Sequence, residues 1–176
     1  MEEKESQARA LLDKTNRQFN ECNALYHAAA QRCGLSDAAF WTLYALVTSC
    51  EPLTQNRIAA DWGIPKQTLN SAVAAMVKKG PAGALPGKRS HSGKIVTLTA
   101  EGRALAERTV VPVIAAEEKA IRAFGLASAE EMHRLAQRHL ECLQREFETI
   151  SAFPEGEGGP RPRPRPDEGE PAGISR

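Results

Sequence analysis

Along residues 4–33 the apolar and small positions Leu12, Thr15, Phe19, Cys22, Tyr26, Ala29 and Cys33 recur at alternating steps of three and four. No proline or glycine interrupts the run. The pattern predicts one long helix with a seam for packing on other helices. A helix of that length reaches beyond what a small domain covers, which points to a second chain. Gly34 stops it. Ser36 caps the next helix, and Leu35 and Phe40 flank the cap at staple spacing. Phe40, Trp41, Leu43, Tyr44, Leu46 and Val47 are apolar nearly all round, so this helix belongs in the middle of the core. Glu51-Pro52 turns the chain.

From Thr54 to Gly80 the pattern is two short helices joined by a tight turn. Leu53 and Ile58 stand at staple spacing around a Thr54 cap, and Ile58, Ala59 and Trp62 form one buried side. Gly63 suits a left-handed turn residue. Pro65 fits the first position of the second helix, where its missing N–H is not needed. Leu69, Ala72, Val73, Met76 and Val77 then share one face at the 3.6-residue period. Gln67, Ser71, Ala74 and Lys78 occupy the opposite face, with Asn70 beside them. Lys78-Lys79-Gly80 closes the helix with positive charge at its negative dipole end and a C-cap glycine. This is the layout of a helix-turn-helix whose second helix enters the DNA major groove. A plain helical hairpin in an all-α core is the competing reading of this stretch alone. The segments around it and their charge decide against that.

Beyond Gly80, Pro81, Gly83, Pro86 and Gly87 forbid a continuous helix. Ala84–Leu85 and Ile95–Leu98 predict a short hairpin with the polar, basic connection GKRSHSGK. In that position a basic-tipped hairpin is a wing, which meets the DNA backbone or minor groove. Thr99 caps a helix through Arg122, with a kink expected near Pro112. After Gly125, Ser128-x-x-Glu131 predicts a capping box for a last helix. There Leu140, Leu143, Phe147 and Ile150 form a second seam. Residues 154–176, with the run PRPRPRP, cannot bury a core and are expected to be disordered or extended.

Composition changes this picture in two places. The 176 residues carry a net charge of only +1, yet Trp62–Ala100 contains no Asp or Glu and six basic residues. A near-neutral chain that gathers its positive charge in one segment shows the footprint of a phosphate-contacting face. Cys22, Cys33, Cys50 and Cys142 have no CxxC spacing and no accompanying histidine cluster, so neither a metal nor another cofactor is expected. Cys33, Cys50 and Cys142 read as packing residues. With no leader pattern and no run apolar enough to cross a membrane, a cytoplasmic location is expected. No phosphate-binding loop or nucleophile motif is present, and His27, His91, His133 and His139 are scattered, so the chain does not read as an enzyme.

The whole order of elements resembles the MarR family of bacterial transcription regulators. The resemblance rests on NALYHAAAQRCGLSDAAFWTLYAL, LTQNRIAADWGIPKQTLNSAVAAMVKKG and IVTLTAEGR, and with the flanking helices it covers roughly residues 5–150. It implies a homodimeric winged-helix protein on pseudo-palindromic double-stranded operators. It also implies release of DNA when a small molecule or an oxidant binds between the dimer and DNA-binding parts. Many members carry Asp-x-Arg at the wing tip; here the tip reads SHSGK, so Lys88, Arg89 and Lys94 must supply its charge. Organic-peroxide sensors of the family hold a reactive cysteine in a C-x-x-x-Y context. Cys22 stands four residues before Tyr26, with Tyr44 as a further partner. The alternative for Cys22 is an inert apolar seam residue.

The expected fold is therefore mainly α: a winged helix-turn-helix with long N- and C-terminal helices forming a dimerisation region. The expected parts are an N-terminal dimerisation helix (4–35), the DNA-binding domain (36–100), C-terminal helices completing the dimer region (101–153) and the tail (154–176). Candidate DNA contacts are Thr54, Gln55, Asn56 and Arg57 on the first helix and Pro65, Lys66, Gln67, Thr68, Asn70, Ser71 and Lys78 on the second. Lys88, Arg89, Ser90, His91 and Lys94 are the candidates on the wing. Leu12, Phe19, Tyr26, Leu140, Leu143, Phe147 and Ile150 are the dimerisation candidates, and Cys22 is the redox candidate. The leading function is a ligand-responsive regulator, a repressor in its expected form. The alternatives are an oxidant sensor working through Cys22 and a winged helix used as a protein-interaction module.

Overall fold

The computed structural model describes residues 2–86 and 94–150. Its elements are α1 (Glu2–Arg32), α2 (Asp37–Thr48), β1 (Leu53–Thr54), α3 (Gln55–Asp61), α4 (Lys66–Lys79), β2 (Ala82–Pro86), β3 (Lys94–Leu98), α5 (Ala100–Phe124) and α6 (Leu126–Glu148). Helices α1–α5 and the sheet form one compact unit, and α6 belongs to another. The fold is mainly α with a winged helix-turn-helix, as the pattern predicts. None of the described helices is long and apolar enough to cross a membrane.

Helix α2 is the centre of the first unit and contacts α1, α4, α5 and β3. Phe40 and Leu43 are fully buried there, joined by Ile58 of α3, Leu69 and Val73 of α4, Val96 of β3 and Val110 of α5. Burial of each such side chain is worth about 1.5–3 kcal/mol. Three side-chain caps start the helices where the sequence puts them. Ser36 Oγ accepts from the Ala39 N–H at 3.3 Å, Thr54 Oγ1 from Arg57 at 3.2 Å and Thr99 Oγ1 from Gly102 at 3.0 Å. Each cap contributes about 1 kcal/mol.

The sheet is larger than the expected hairpin. Strand β3 lies between β1 and β2 and is antiparallel to both, with Leu53 opposite Val96 and Ala84 opposite Val96 from the other side. A two-residue strand is too short to show an alternating pattern, which is why β1 is invisible in the sequence. Strand β2 starts at Ala82 rather than Ala84. It tolerates Gly83 and Pro86 because it is an edge strand, with one side free of ladder bonds.

Four local expectations are corrected. Pro65 is the N-cap of α4 rather than its first helical residue: its backbone is extended (φ −55°, ψ 132°) and its carbonyl accepts the first helical bond, from Leu69 at 3.0 Å. Ser128 opens no helix, since α6 already begins at Leu126, and Glu131 pairs with Arg134 at 2.6 Å instead of closing a capping box. One glycine, Gly125 at φ +96°, suffices to separate α5 from α6. Cys50 and Cys142 are exposed, so they are not packing residues within their units; Cys33 is half-buried. Val77 is also exposed, at the edge of the apolar face of α4. Helix α5 runs unbroken across Pro112.

The LTxxG run at Leu98–Gly102 has a packing reason. Thr99 N–H donates to the Pro81 carbonyl at 3.2 Å and Thr99 Oγ1 donates to the Gly80 carbonyl at 2.7 Å, which draws the start of α5 onto the end of α4. At Gly102 the approach is so close that a Cβ would stand 1.8 Å from the Pro81 carbonyl oxygen.

Candidate nucleic-acid interface

The helix-turn-helix is built by burying one side of α4 on α2 and one side of α3 on α4 and the sheet, leaving the other sides to solvent. Ile58 and Ala59 anchor α3; Leu69, Val73 and Met76 anchor α4. Between them the Trp62 and Ile64 N–H groups donate to the Ile58 and Ala59 carbonyls at 3.1 and 3.0 Å. Gly63 takes φ +60°, the left-handed conformation that reverses the chain at no side-chain cost.

The candidates on α4 share one outcome: Pro65, Lys66, Gln67, Thr68, Asn70, Ser71 and Lys78 are all exposed. Ser71 Oγ donates to the Gln67 carbonyl at 3.0 Å, so it offers a partner its lone pairs rather than its proton. Pro65, Gln67, Thr68 and Ser71 also line a groove of about 680 Å³ that runs against Ser36, Asp37 and Ala38 at the start of α2. At that start, His27 Nδ1 of α1 meets the Asp37 carboxylate at 3.0 Å.

The α3 candidates divide. Thr54 is occupied as the cap and Gln55 is half-buried, whereas Asn56 and Arg57 are exposed. Arg57 is held by Asp61 one turn on, and that carboxylate keeps its guanidinium above the ordinary arginine range. On the wing, Lys94 is exposed at the start of β3. Lys88, Arg89, Ser90 and His91 lie outside the described residues. The described part of the acid-free segment thus presents Lys66, Lys78, Lys79 and Lys94 to solvent with no carboxylate among them.

The dimerisation candidates are largely uncovered. Leu12 and Phe19 on α1 and Leu140, Phe147 and Ile150 at the C-terminal end are exposed, while Tyr26 and Leu143 are half-buried. Cys22 is exposed on α1, one turn before Tyr26.

One site escaped the sequence. Tyr26, Trp41, Tyr44 and Trp62 are the chain's entire set of tyrosines and tryptophans, and they form one cluster. The two indoles stack with ring centres 4.8 Å apart; Tyr26 lies 4.8 Å from Trp41 and Tyr44 5.2 Å from Trp62. Glu117 of α5 joins them, accepting from the Tyr26 hydroxyl at 2.5 Å and from the Tyr44 hydroxyl at 2.6 Å. Burial, reinforced by the Glu117 hydrogen bond and charge, pushes the Tyr44 phenol up to about 12 and Tyr26 in the same direction. The only signal in the sequence is that four residues of two scarce types fall on helices that meet.

A basic helix-turn-helix and wing built on a central α2, with a long helix on either side, is the arrangement of winged-helix DNA-binding proteins. No family model matches the chain, and no curated protein matches it. Solved structures do. A MarR family regulator of Neisseria meningitidis superposes with a TM-score of 0.68 over 78% of this chain and 96% of its own, at 22% identity. Staphylococcus aureus MarR in complex with salicylate and kanamycin gives 0.58, over 79% and 93%, at 15% identity. The M. tuberculosis regulator MosR in complex with DNA gives 0.51, over 74% and 96%, at 23% identity. The chain has the winged-helix fold of MarR family transcriptional regulators.

Proposed function

We propose that the chain is a MarR-type transcriptional regulator, a repressor that binds a pseudo-palindromic operator as a homodimer and leaves it when a small molecule binds. The observation that carries the reading is the exposed face of α4. It is polar at Gln67, Asn70 and Ser71, basic at both ends and without a carboxylate of its own, and α4 packs on β2, the partner of the wing strand that opens on Lys94. Gln and Asn side chains pair bidentately with adenine, and lysines at the ends of the helix serve phosphates. The fold it shares with MosR, whose structure holds DNA, and with a MarR that holds salicylate supports the DNA partner and the small-molecule effector. The exposed seams of α1 and α6 supply the surface for a second copy. The chain then acts without catalysis, in the cytoplasm.

The oxidant-sensing reading is the weaker one. Both tyrosine hydroxyls that would serve Cys22 donate to Glu117. Selection of bound fragments from a random double-stranded DNA pool, followed by sequencing, tests the proposal. The expected product is an inverted repeat with half-site centres about one helical turn apart. A pool that stays random, with binding no tighter than to nonspecific DNA, favours the protein-interaction module instead.

A further inference from the structure

An acid stands where DNA would pass. An α-helix with its side chains is about 10–12 Å across, and the major groove is about 12 Å wide. A recognition helix therefore brings the phosphates of both strands against its flanks. On one flank of α4 lies the groove that Gln67, Thr68 and Ser71 share with Ser36 and Asp37 at the start of α2. Asp37 is the only carboxylate among its lining residues. A phosphate in that groove meets a like charge, which opposes binding unless a cation compensates it. The compensating group is in place. His27 Nδ1 of α1 stands 3.0 Å from both Asp37 oxygens, and both side chains are exposed. Among the described residues nothing bonds the ring's other nitrogen, Nε2. A carboxylate at one nitrogen orients an imidazolium and favours its charge, leaving the other N–H to donate elsewhere.

The surroundings of the pair are otherwise uncharged or occupied. One turn away on α1, Asn23 and Gln31 carry no charge, and Asp37 is the only charged residue of α2. On α5, Glu117 is taken by Tyr26 and Tyr44. On α4, Lys66 is exposed between the lining residues Pro65 and Gln67. Among the described residues neither His27 nor Asp37 takes part in another ion pair.

We infer that His27 is a DNA contact outside the helix-turn-helix and the wing: its imidazolium donates from Nε2 to a phosphate in this groove, and Asp37 is its positioning residue. Binding then takes up a proton at each protomer. A neutral ring leaves Asp37 facing the phosphate uncompensated, whereas a protonated ring cancels the repulsion and adds a bond. The inference rests on the DNA-binding reading.

The test is fluorescence anisotropy of the full chain on a rhodamine-labelled duplex, between pH 6 and pH 8 at constant ionic strength. The duplex carries the selected inverted repeat, or a random sequence should selection return none. Every chain tested carries His91→Gln, which removes the imidazole of the wing connection. With His27 in place, affinity should fall by about tenfold or more from pH 6 to pH 8, since an opposite charge beside a titrating group is worth about one pH unit or more. In His27→Gln the profile should flatten at its weak limit. At pH 6 the magnitude of the log–log salt slope should also drop in that variant, by up to about 0.9 for each protomer bound. In Asp37→Asn the midpoint of the profile should move to lower pH, because the carboxylate no longer favours the imidazolium. Binding by Asp37→Asn at pH 8 should strengthen, because the like charge is gone. Thermal melts confirm that both variants fold. A profile that is flat with His27 in place, or one that persists in His27→Gln, overturns the contact while DNA binding stands. A midpoint unmoved in Asp37→Asn overturns the positioning role. A chain that binds neither duplex at either pH overturns the DNA-binding reading and the contact together.

Discussion

Replacing Gly102 with alanine tests how the wing is locked to the helices. The added Cβ would stand 1.8 Å from the Pro81 carbonyl oxygen and 2.9 Å from its carbon, and both are backbone atoms that cannot swing aside. The start of α5 must therefore lift from the β2 entry. That movement puts at risk the Thr99 bonds to the Gly80 and Pro81 carbonyls and the cap onto Gly102 itself. Two or three such bonds at about 1 kcal/mol each, with about 1–3 kcal/mol of overpacking, amount to about 3–6 kcal/mol. A domain of this size has about 5–15 kcal/mol in all. Gly63→Ala is the internal control. Gly63 has φ +60° but open space around its Cβ position, so alanine there costs only the left-handed strain, about 1–2 kcal/mol. Urea unfolding followed by tryptophan emission measures both. A Gly102→Ala chain no less stable than Gly63→Ala would show that α5 does not depend on this close approach.

Tyrosine ionisation, followed at 295 nm, should begin well above pH 10, because burial and then the Glu117 bond raise both phenols. Their folded values lie above the unfolded one, so their stabilisation is complete below pH 10 and is lost as pH rises towards about 12. Glu117→Gln should bring the ionisation part of the way down, since burial remains; an unmoved curve refutes the carboxylate's part in it. Asn70→Ala should cost about 1–3 kcal/mol at one base pair of the selected operator and little on random DNA. Equal losses on both would remove Asn70 from base reading. Arg89→Ala with Lys94→Ala should lower the magnitude of the log–log salt slope of DNA binding by about 3–4 units in a dimer. An unchanged slope means that the wing does not touch DNA. Sedimentation equilibrium should give twice the 19.1 kDa chain mass, and a monomer at micromolar concentration would exclude assembly through α1 and α6.

Features that depend on neighbours within one turn were legible in the sequence. The Ser36, Thr54 and Thr99 caps each span three residues, and the faces of α3 and α4 follow from a period that the chain itself displays. Gly63 and Gly80 announce positive φ because other residues resist it. Local signals also misled where several positions competed for one role. Ser128 and Glu131 have capping-box spacing, yet Gly125 alone ends α5 and the next helix starts at once. Pairings across long stretches of chain left no local trace. Strand β1 exists only because Leu53 and Thr54 meet Val96 and Ile95. Gly102 is needed only because Pro81 is folded against it. Glu117 looks like one more acid on an exposed helix until α1 and α2 bring Tyr26, 91 residues away, and Tyr44, 73 residues away, onto its two oxygens. Periodicity records which face of a helix is buried, and only packing decides what that face meets.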